Sequence, residues 1–331
     1  MKHYDVCGLG NAVVDIFLDL SDSDFDELDF QRGTMQLVDK PTQDSLLAKF
    51  HSSRHDLVLV SGGSVANSTI VVSQLGGKST FIGCVGDDRY GLHYVEEFEQ
   101  LSIDMGNPVL VGETTGTCLA MITPDGERTM RTHLGVASHL AAKHVDAQRI
   151  AASRWLFIEG YVFANPETGQ HAIREAIRIA RETNTKIALT CSDAFVPEVF
   201  HEAFGEALSV SDLLFCNAGE AMSVTGTQSV PDAFQRLKEF VPSCVITDGP
   251  NGAYVRFEGK SGHVPTRPCQ PRDLTGAGDM FAGSFLYGIN QELDPFLAAK
   301  AANAMSGYVI SQVGARLHQQ VPQLWRESLE T

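Results

Sequence analysis

Short apolar runs along the chain alternate with stretches in which apolar residues recur every three or four positions. Runs of the first kind suit strands buried on both faces, and the second kind suits helices that cover them. Their alternation predicts a doubly wound α/β fold with a mainly parallel sheet flanked by helices. Tyr4–Leu9 reads as the first strand and Asp56–Val60 as the second, followed by a helix from Val65 to Leu75 that stops at Gly76 and Gly77. Ser79–Val85 is the third strand, with Tyr90–Leu101 as its helix. The pattern returns at Trp155–Ile158, continues through helix Glu167–Glu182, strand Lys186–Leu189 and a helix at Pro197–Leu208, and reaches strand Asp212–Cys216 with a short helix after it. A helix at Asp232–Phe240, a strand at Cys244–Thr247 and a hairpin over Ala253–Val264 come next. Two last helices begin near Gly278 and Asp294, the second with Asp294 as N-cap, Pro295 in the first helical position and Gly314 beyond its end.

Two segments break this rhythm. Ile16–Leu20 and Thr34–Val38 alternate like half-buried strands around an acidic stretch, and Asn107–Val111, Thr117–Ile122 and Arg128–His133 form a strand-rich block with a turn at Pro124-Asp125-Gly126. Neither segment can be a crossover helix. They predict a small discontinuous β-sheet lid from residues 16–40 and 106–133, with residues 1–15, 41–105 and 134–331 forming the large α/β domain. No internal repeat is present.

Charge narrows the list of partners. A net charge of −16 at pH 7 repels nucleic acid and anionic lipid, so neither is expected as a partner. A bound nucleotide would need backbone N–H groups, a few basic residues and a divalent cation to reverse that field locally. The seven cysteines lie mostly in apolar runs without metal-ligand spacing and read as small buried hydrophobes. The N-terminal stretch has no basic segment leading into an apolar one, and no run is long enough to span a bilayer, so a cytoplasmic protein is expected.

Two motifs mimic nucleotide sites without their chemistry. Gly8-Leu9-Gly10 lacks the third glycine of a dinucleotide fingerprint, since Val13 stands there, and a strand follows in place of a helix. Gly77-Lys78-Ser79 resembles the end of a phosphate-binding loop, but Val72 replaces its first glycine and a helix precedes it. The stretch from Asp273 to Phe281 carries more. Small residues at Gly276, Ala277 and Gly278 let backbone N–H groups converge at a helix N-terminus, which favours an anion, and Asp279 places a carboxylate beside it. A carboxylate next to a bound phosphate is positioned to take a proton from an attacking hydroxyl.

DLTGAGDMFAGSF resembles the C-terminal signature of the ribokinase-like (PfkB) carbohydrate kinase family, and SGGSVANSTIVVSQLGGKSTFIGCVGDDRYG resembles its N-terminal signature. The likeness runs from Val6 to Gly314 and is strongest to the adenosine-kinase-like branch, through the FIGCVGD and GERTMRTHLG segments. The resemblance implies a kinase, monomer or homodimer, that uses ATP and Mg²⁺ on a primary hydroxyl of adenosine, or alternatively of a sugar such as ribose or fructose. The reading of another class is a regulator that binds a nucleoside or sugar without turnover, against which the retained Asp279 and its glycines argue. The resemblance makes Asp279 the catalytic base, Gly276, Ala277 and Gly278 the anion hole, and Arg128 a lid arginine that reaches the transferring phosphate. It implies that Asn11, Asp15, Gly62, Gly63 and Asn67 hold the acceptor's hydroxyls. Asn217 and Glu220 match an NxxE motif in which Glu220 acts on Mg²⁺ through water, and Thr247, Gly249, Gly252 and Asn303 match the nucleotide site. It also implies a monovalent-cation site, such as one for K⁺, around a loop in which Leu274 replaces the family's threonine.

Overall fold

The computed structural model describes residues 2–51, 58–106, 109–125 and 127–330. Its strands are β1 (Tyr4–Leu9), β2 (Val13–Asp19), β3 (Met35–Leu37), β4 (Val58–Gly62), β5 (Ser79–Ile82), β6 (Asp104–Met105) and β7 (Gly116–Ile122). They continue with β8 (Arg128–His133), β9 (Ser153–Ile158), β10 (Lys186–Thr190), β11 (Leu213–Asn217), β12 (Ser243–Thr247), β13 (Ala253–Phe257) and β14 (Lys260–Val264).

The large sheet has the order β14-β13-β12-β11-β10-β9-β1-β5-β6. It is parallel from β12 to β6, and the hairpin β13–β14 runs antiparallel at one edge. Successive residues of one strand enter opposite cores: Val6, Trp155, Phe157 and Phe215 pack on one face, and Cys7, Leu9, Leu156 and Ile158 on the other. Burial on both faces is why these strands appear in the sequence as unbroken apolar runs. Six cysteines are buried as expected, whereas Cys269 is exposed.

On the first face the helix Ser64–Gln74 lies against the helix Ala277–Asn290. Gly283 permits this approach, because a Cβ there would stand 2.5 Å from the Ser68 carbonyl oxygen. The helix Pro295–Ile310 packs alongside, capped by Asp294, whose Oδ1 accepts from the Phe296 and Leu297 amides. The sequence pattern missed one further helix, Val321–Glu330, which buries Val321 and Trp325 against the same layer.

The second sheet has the order β3-β8-β7-β2-β4 and corrects two boundaries. The segment Asp56–Val60, expected in the large sheet, is observed as β4 and pairs antiparallel with β2. Val58 is 57% exposed, so this strand is not covered on both faces as a central parallel strand is, and its valines do not mark the main core. The strand predicted from Ile16 already begins at Val13, which moves Asp15 into the small sheet. Conversely, β6 extends the large sheet beside β5. Asp56, Asn107, Pro108 and Gly126 lie outside the described residues, and Leu110 makes only an isolated bridge to Gly86.

Candidate active site

Asp279 sits in the first turn of the Ala277–Asn290 helix, which begins at Gly276 in the left-handed conformation with φ of 77°. Of the predicted anion hole at Gly276, Ala277 and Gly278, the Ala277 amide closes a turn onto the Leu274 carbonyl at 3.3 Å, while the Gly278 amide, with that of Asp279 next to it, is one that a helix start leaves unpaired. Both residues line a cleft of about 220 Å³ with Ser64, Asn217, Glu220, Thr247 and Phe281.

The Asp279 carboxylate is held from the neighbouring helix. Ser64 Oγ donates to Oδ1 at 2.7 Å and Asn67 Nδ2 to Oδ2 at 3.0 Å. Burial nevertheless raises its pKa to about 6, opposed by those two hydrogen bonds and by the charge of Arg316. Asp15 on β2 is likewise pushed up to about 6 by burial, against the pull of Arg316 and Arg128.

The predicted acceptor residues converge here. Asn11, in the β1–β2 turn, donates Nδ2 to Glu159 Oε1 at 2.9 Å and leaves its own buried Oδ1 without a partner. Gly63 has φ of 108°, and a Cβ on it would lie 2.1 Å from the Asn11 carbonyl oxygen; on Gly62 it would lie 2.7 Å from Asp15 Oδ2. Glu159, which the sequence reading missed, ends β9 with 1% exposure and accepts the Val65 amide on Oε2 at 3.1 Å. Burial raises its pKa to about 7. Ser64 and Arg316 were missed as well; Ser64 at least lies inside the GGSVAN run.

Across the cleft, Asn217 and Glu220 form a reciprocal cap. The Asn217 amide donates to Glu220 Oε2 at 2.8 Å, Asn217 Nδ2 donates to Oε1 at 2.9 Å, and the Glu220 amide returns to Asn217 Oδ1 at 2.9 Å. Burial raises Glu220 to about 7. Asn217→Ala removes this cap, and a loss of about 1 kcal/mol in unfolding free energy is expected, read from urea denaturation. Thr247 ends β12 in the cleft, whereas Gly249 and Gly252 form the following turn and Asn303 donates to the Val264 carbonyl at 3.2 Å. These three do not line the cleft with Gly278.

Arg128 does not point at the helix start. It pairs with Asp273 Oδ2 at 2.9 Å and lies over the Phe17 ring, tying the small sheet to the loop before Gly276. Asp273 also accepts the Thr275 amide on Oδ1 at 3.0 Å and the Gly314 amide on Oδ2 at 2.7 Å. Its charge is thus matched by protein groups, which does not fit a K⁺ ligand. Among the described residues no group of three or more His, Cys, Asp or Glu side chains forms a metal site, and no helix is long and apolar enough to cross a membrane.

A family model for pfkB family carbohydrate kinases matches residues 36–322. The adenosine kinase structure of Sinorhizobium meliloti superposes with a TM-score of 0.88 and 30% identity, covering 99% of this chain and 100% of that one. The adenosine kinase of Saccharomyces cerevisiae is 23% identical over 92% of this chain and 94% of its own length. A fructokinase of Klebsiella pneumoniae is 29% identical over 69% of this chain and 76% of its own. Matched along most of its length and carrying a carboxylate beside a helix start at the cleft, the chain belongs to the pfkB family of carbohydrate kinases and is a phosphotransferase with an alcohol group as acceptor.

Proposed function

We propose that the protein transfers the terminal phosphate of ATP to a primary hydroxyl of a ribose-containing molecule, with adenosine, giving AMP, as the favoured acceptor. The observation that carries the choice is a row across the small sheet. Val60, Asp15, Cys118, Thr132 and Leu37 are direct partners in register and so share one face, with Val58, Phe17, Ala120, Met130 and Met35 as the next row. A carboxylate that accepts from two adjacent hydroxyls therefore sits in an apolar surface. Leu37 and Thr132 at its far end border a groove of about 460 Å³ with Leu134 and Ser138. A ribose on Asp15 leaves an attached base over apolar groups that a free sugar would not use, with Leu37 and Met35, both exposed, at the end of the two rows. The similarity to adenosine kinases along the whole chain supports the same reading.

In this mechanism Asp279 takes the proton of the acceptor hydroxyl, while Ser64 and Asn67 keep the carboxylate aimed. Asn11, Asp15, Gly62, Gly63, Asn67 and Glu159 orient the acceptor, and the two glycines allow the backbone to approach it. ATP with Mg²⁺ supplies the transferable phosphoryl group and screens its charge. The first-turn amides of Gly278 and Asp279 would hold the terminal phosphate, Thr247 and Asn217 flank the nucleotide, and Glu220 would act on the hydrated cation through water. Gly249, Gly252 and Asn303 shape the chain around that site. The small sheet serves as the lid, excluding water, and Arg128 carries its positive charge to the loop before the phosphate.

A free sugar is the second reading, favoured by the fructokinase relative. ADP release measured side by side with adenosine, inosine, ribose and fructose separates the two, and a higher kcat/KM for a free sugar defeats the nucleoside reading. Leu37→Asp sharpens the test. If a base rests there, KM for adenosine rises about tenfold or more while the slower reaction with ribose is unaffected.

A further inference from the structure

Arg316 is 249 residues from Asn67 along the chain and is brought beside it by the strap that follows the Pro295–Ile310 helix. The strap is fastened at several points. The Gly314 amide donates to Asp273, Ala315 stands against Gly276, and Gln74 Nε2 donates to the Leu317 carbonyl at 2.9 Å. Between these anchors the Arg316 side chain, 3% exposed, crosses beneath the acceptor residues. Its Nε donates to Asn67 Oδ1 at 3.2 Å and its Nη1 to Glu97 Oε1 at 3.0 Å, while Glu97 Oε2 accepts the Ser61 amide of β4 at 2.8 Å.

This chain of contacts has one satisfiable orientation. A guanidinium only donates and an ionised carboxylate only accepts, so an amide between them must turn its oxygen to the first and its nitrogen to the second. Arg316 and Asp279 stand on either side of Asn67 in this way. Without Arg316 the amide keeps only its bond to Asp279 and loses the partner on its oxygen, so its plane is held at one end instead of two.

We propose that Arg316 is a positioning residue for phosphoryl transfer: by fixing the amide of Asn67 it aims the Asp279 carboxylate at the acceptor hydroxyl. The proposal rests on the reading of Asp279 as the base. The charge of Arg316 acts in the same direction, favouring the ionised forms of Asp279 and Asp15 against burial. The other groups that face Asp279 oppose it: Asp15 from β2, Glu159 from the end of β9 and Glu220 from the helix Ala218–Thr225 all carry like charge. Arg316 is the opposing cation among the groups acting on Asp279.

The test compares wild type, Arg316→Met, Arg316→Lys and the double variant Arg316→Met with Glu97→Gln, which also removes the charge that Arg316 pairs at Glu97. Each is assayed for kcat across pH with the acceptor that wild type prefers, for equilibrium ATP binding and for its melting temperature. Both Met variants are expected to lose about ten- to hundredfold in kcat with ATP affinity unchanged. Their acid limb should move upward by roughly half a unit or more, and Arg316→Lys should restore most of both. A folded double variant whose acid limb coincides with that of wild type overturns the positioning role whatever its kcat. The underlying reading fails separately: turnover by Asp279→Asn at the wild-type rate removes the base itself, whereas loss of turnover there together with an unmoved limb in the Arg316 variants removes only Arg316.

Discussion

Asp279→Asn is expected to slow phosphoryl transfer by about two to four orders of magnitude while ATP binds within a few-fold of wild type. The substitution preserves shape, and Ser64 can still donate to the amide oxygen, so the helix start and its amides stay in place. What disappears is the proposed proton acceptor, and the new NH₂ group also faces the Asn67 amide that donates at 3.0 Å in wild type. The acceptor hydroxyl is then left protonated as it attacks. ADP release at saturating acceptor, set beside ATP titration by calorimetry, reads both quantities; a variant that keeps a tenth of wild-type turnover excludes Asp279 as base. In wild type the same group is expected to give an acid limb in kcat/KM near its pKa of about 6, with activity falling as pH drops below that value.

Gly276→Ala should be strongly destabilising. With φ of 77° the residue occupies a conformation that costs an L side chain about 1–2 kcal/mol. The added Cβ would also lie 2.6 Å from both the Ala315 Cα and carbonyl oxygen, neither of which can rotate away. Overpacking of that kind costs a further ~1–3 kcal/mol. Chemical denaturation should therefore show a loss of about 3 kcal/mol, and catalysis should fall further than stability because the same turn aims the Gly278 and Asp279 amides. Gly278→Ala is the matched control, since a Cβ there meets no atom within 4 Å. It should leave the unfolding free energy within about 0.5 kcal/mol of wild type. A Gly276→Ala protein as stable and active as this control would show that the turn tolerates rearrangement.

The difference between what the sequence disclosed and what it concealed follows from the range of the interactions. The helix start at Gly276 to Asp279, the Asn217 cap and the Asp294 cap are local: small residues, a left-handed glycine and a capping side chain lie within a few positions of the groups they satisfy. The parallel strands were legible for a similar reason, because burial on both faces leaves a continuous apolar run. Glu159 and Arg316 have no such neighbours. Glu159 meets the Val65 amide 94 residues away, and Arg316 meets Asn67 across 249, so nothing beside either residue marks it. The same limit misplaced β4: Val58-Leu59-Val60 reads as a core strand, and only its pairing with β2 shows that it belongs to the small sheet. The Val321–Glu330 helix does carry an apolar face at Val321, Leu324, Trp325 and Leu329, which packs on Tyr287 and the preceding layer, so its signal was present in the sequence and went unread.

The four carboxyl groups gathered at the cleft set stability against readiness. Burial places Asp15 and Asp279 near 6 and Glu159 and Glu220 near 7, above their ordinary values of 3.8 and 4.5. A raised acid favours folding while it keeps its proton, so this contribution is complete below the ordinary values and is lost as pH rises through 6 and 7. These four groups therefore contribute most to the fold in acid, where the carboxyl proposed as base is protonated, and their deprotonation brings back the mutual repulsion that the protons had removed. A cation entering with its substrate relieves that crowding by another route, so occupancy and deprotonation reinforce each other.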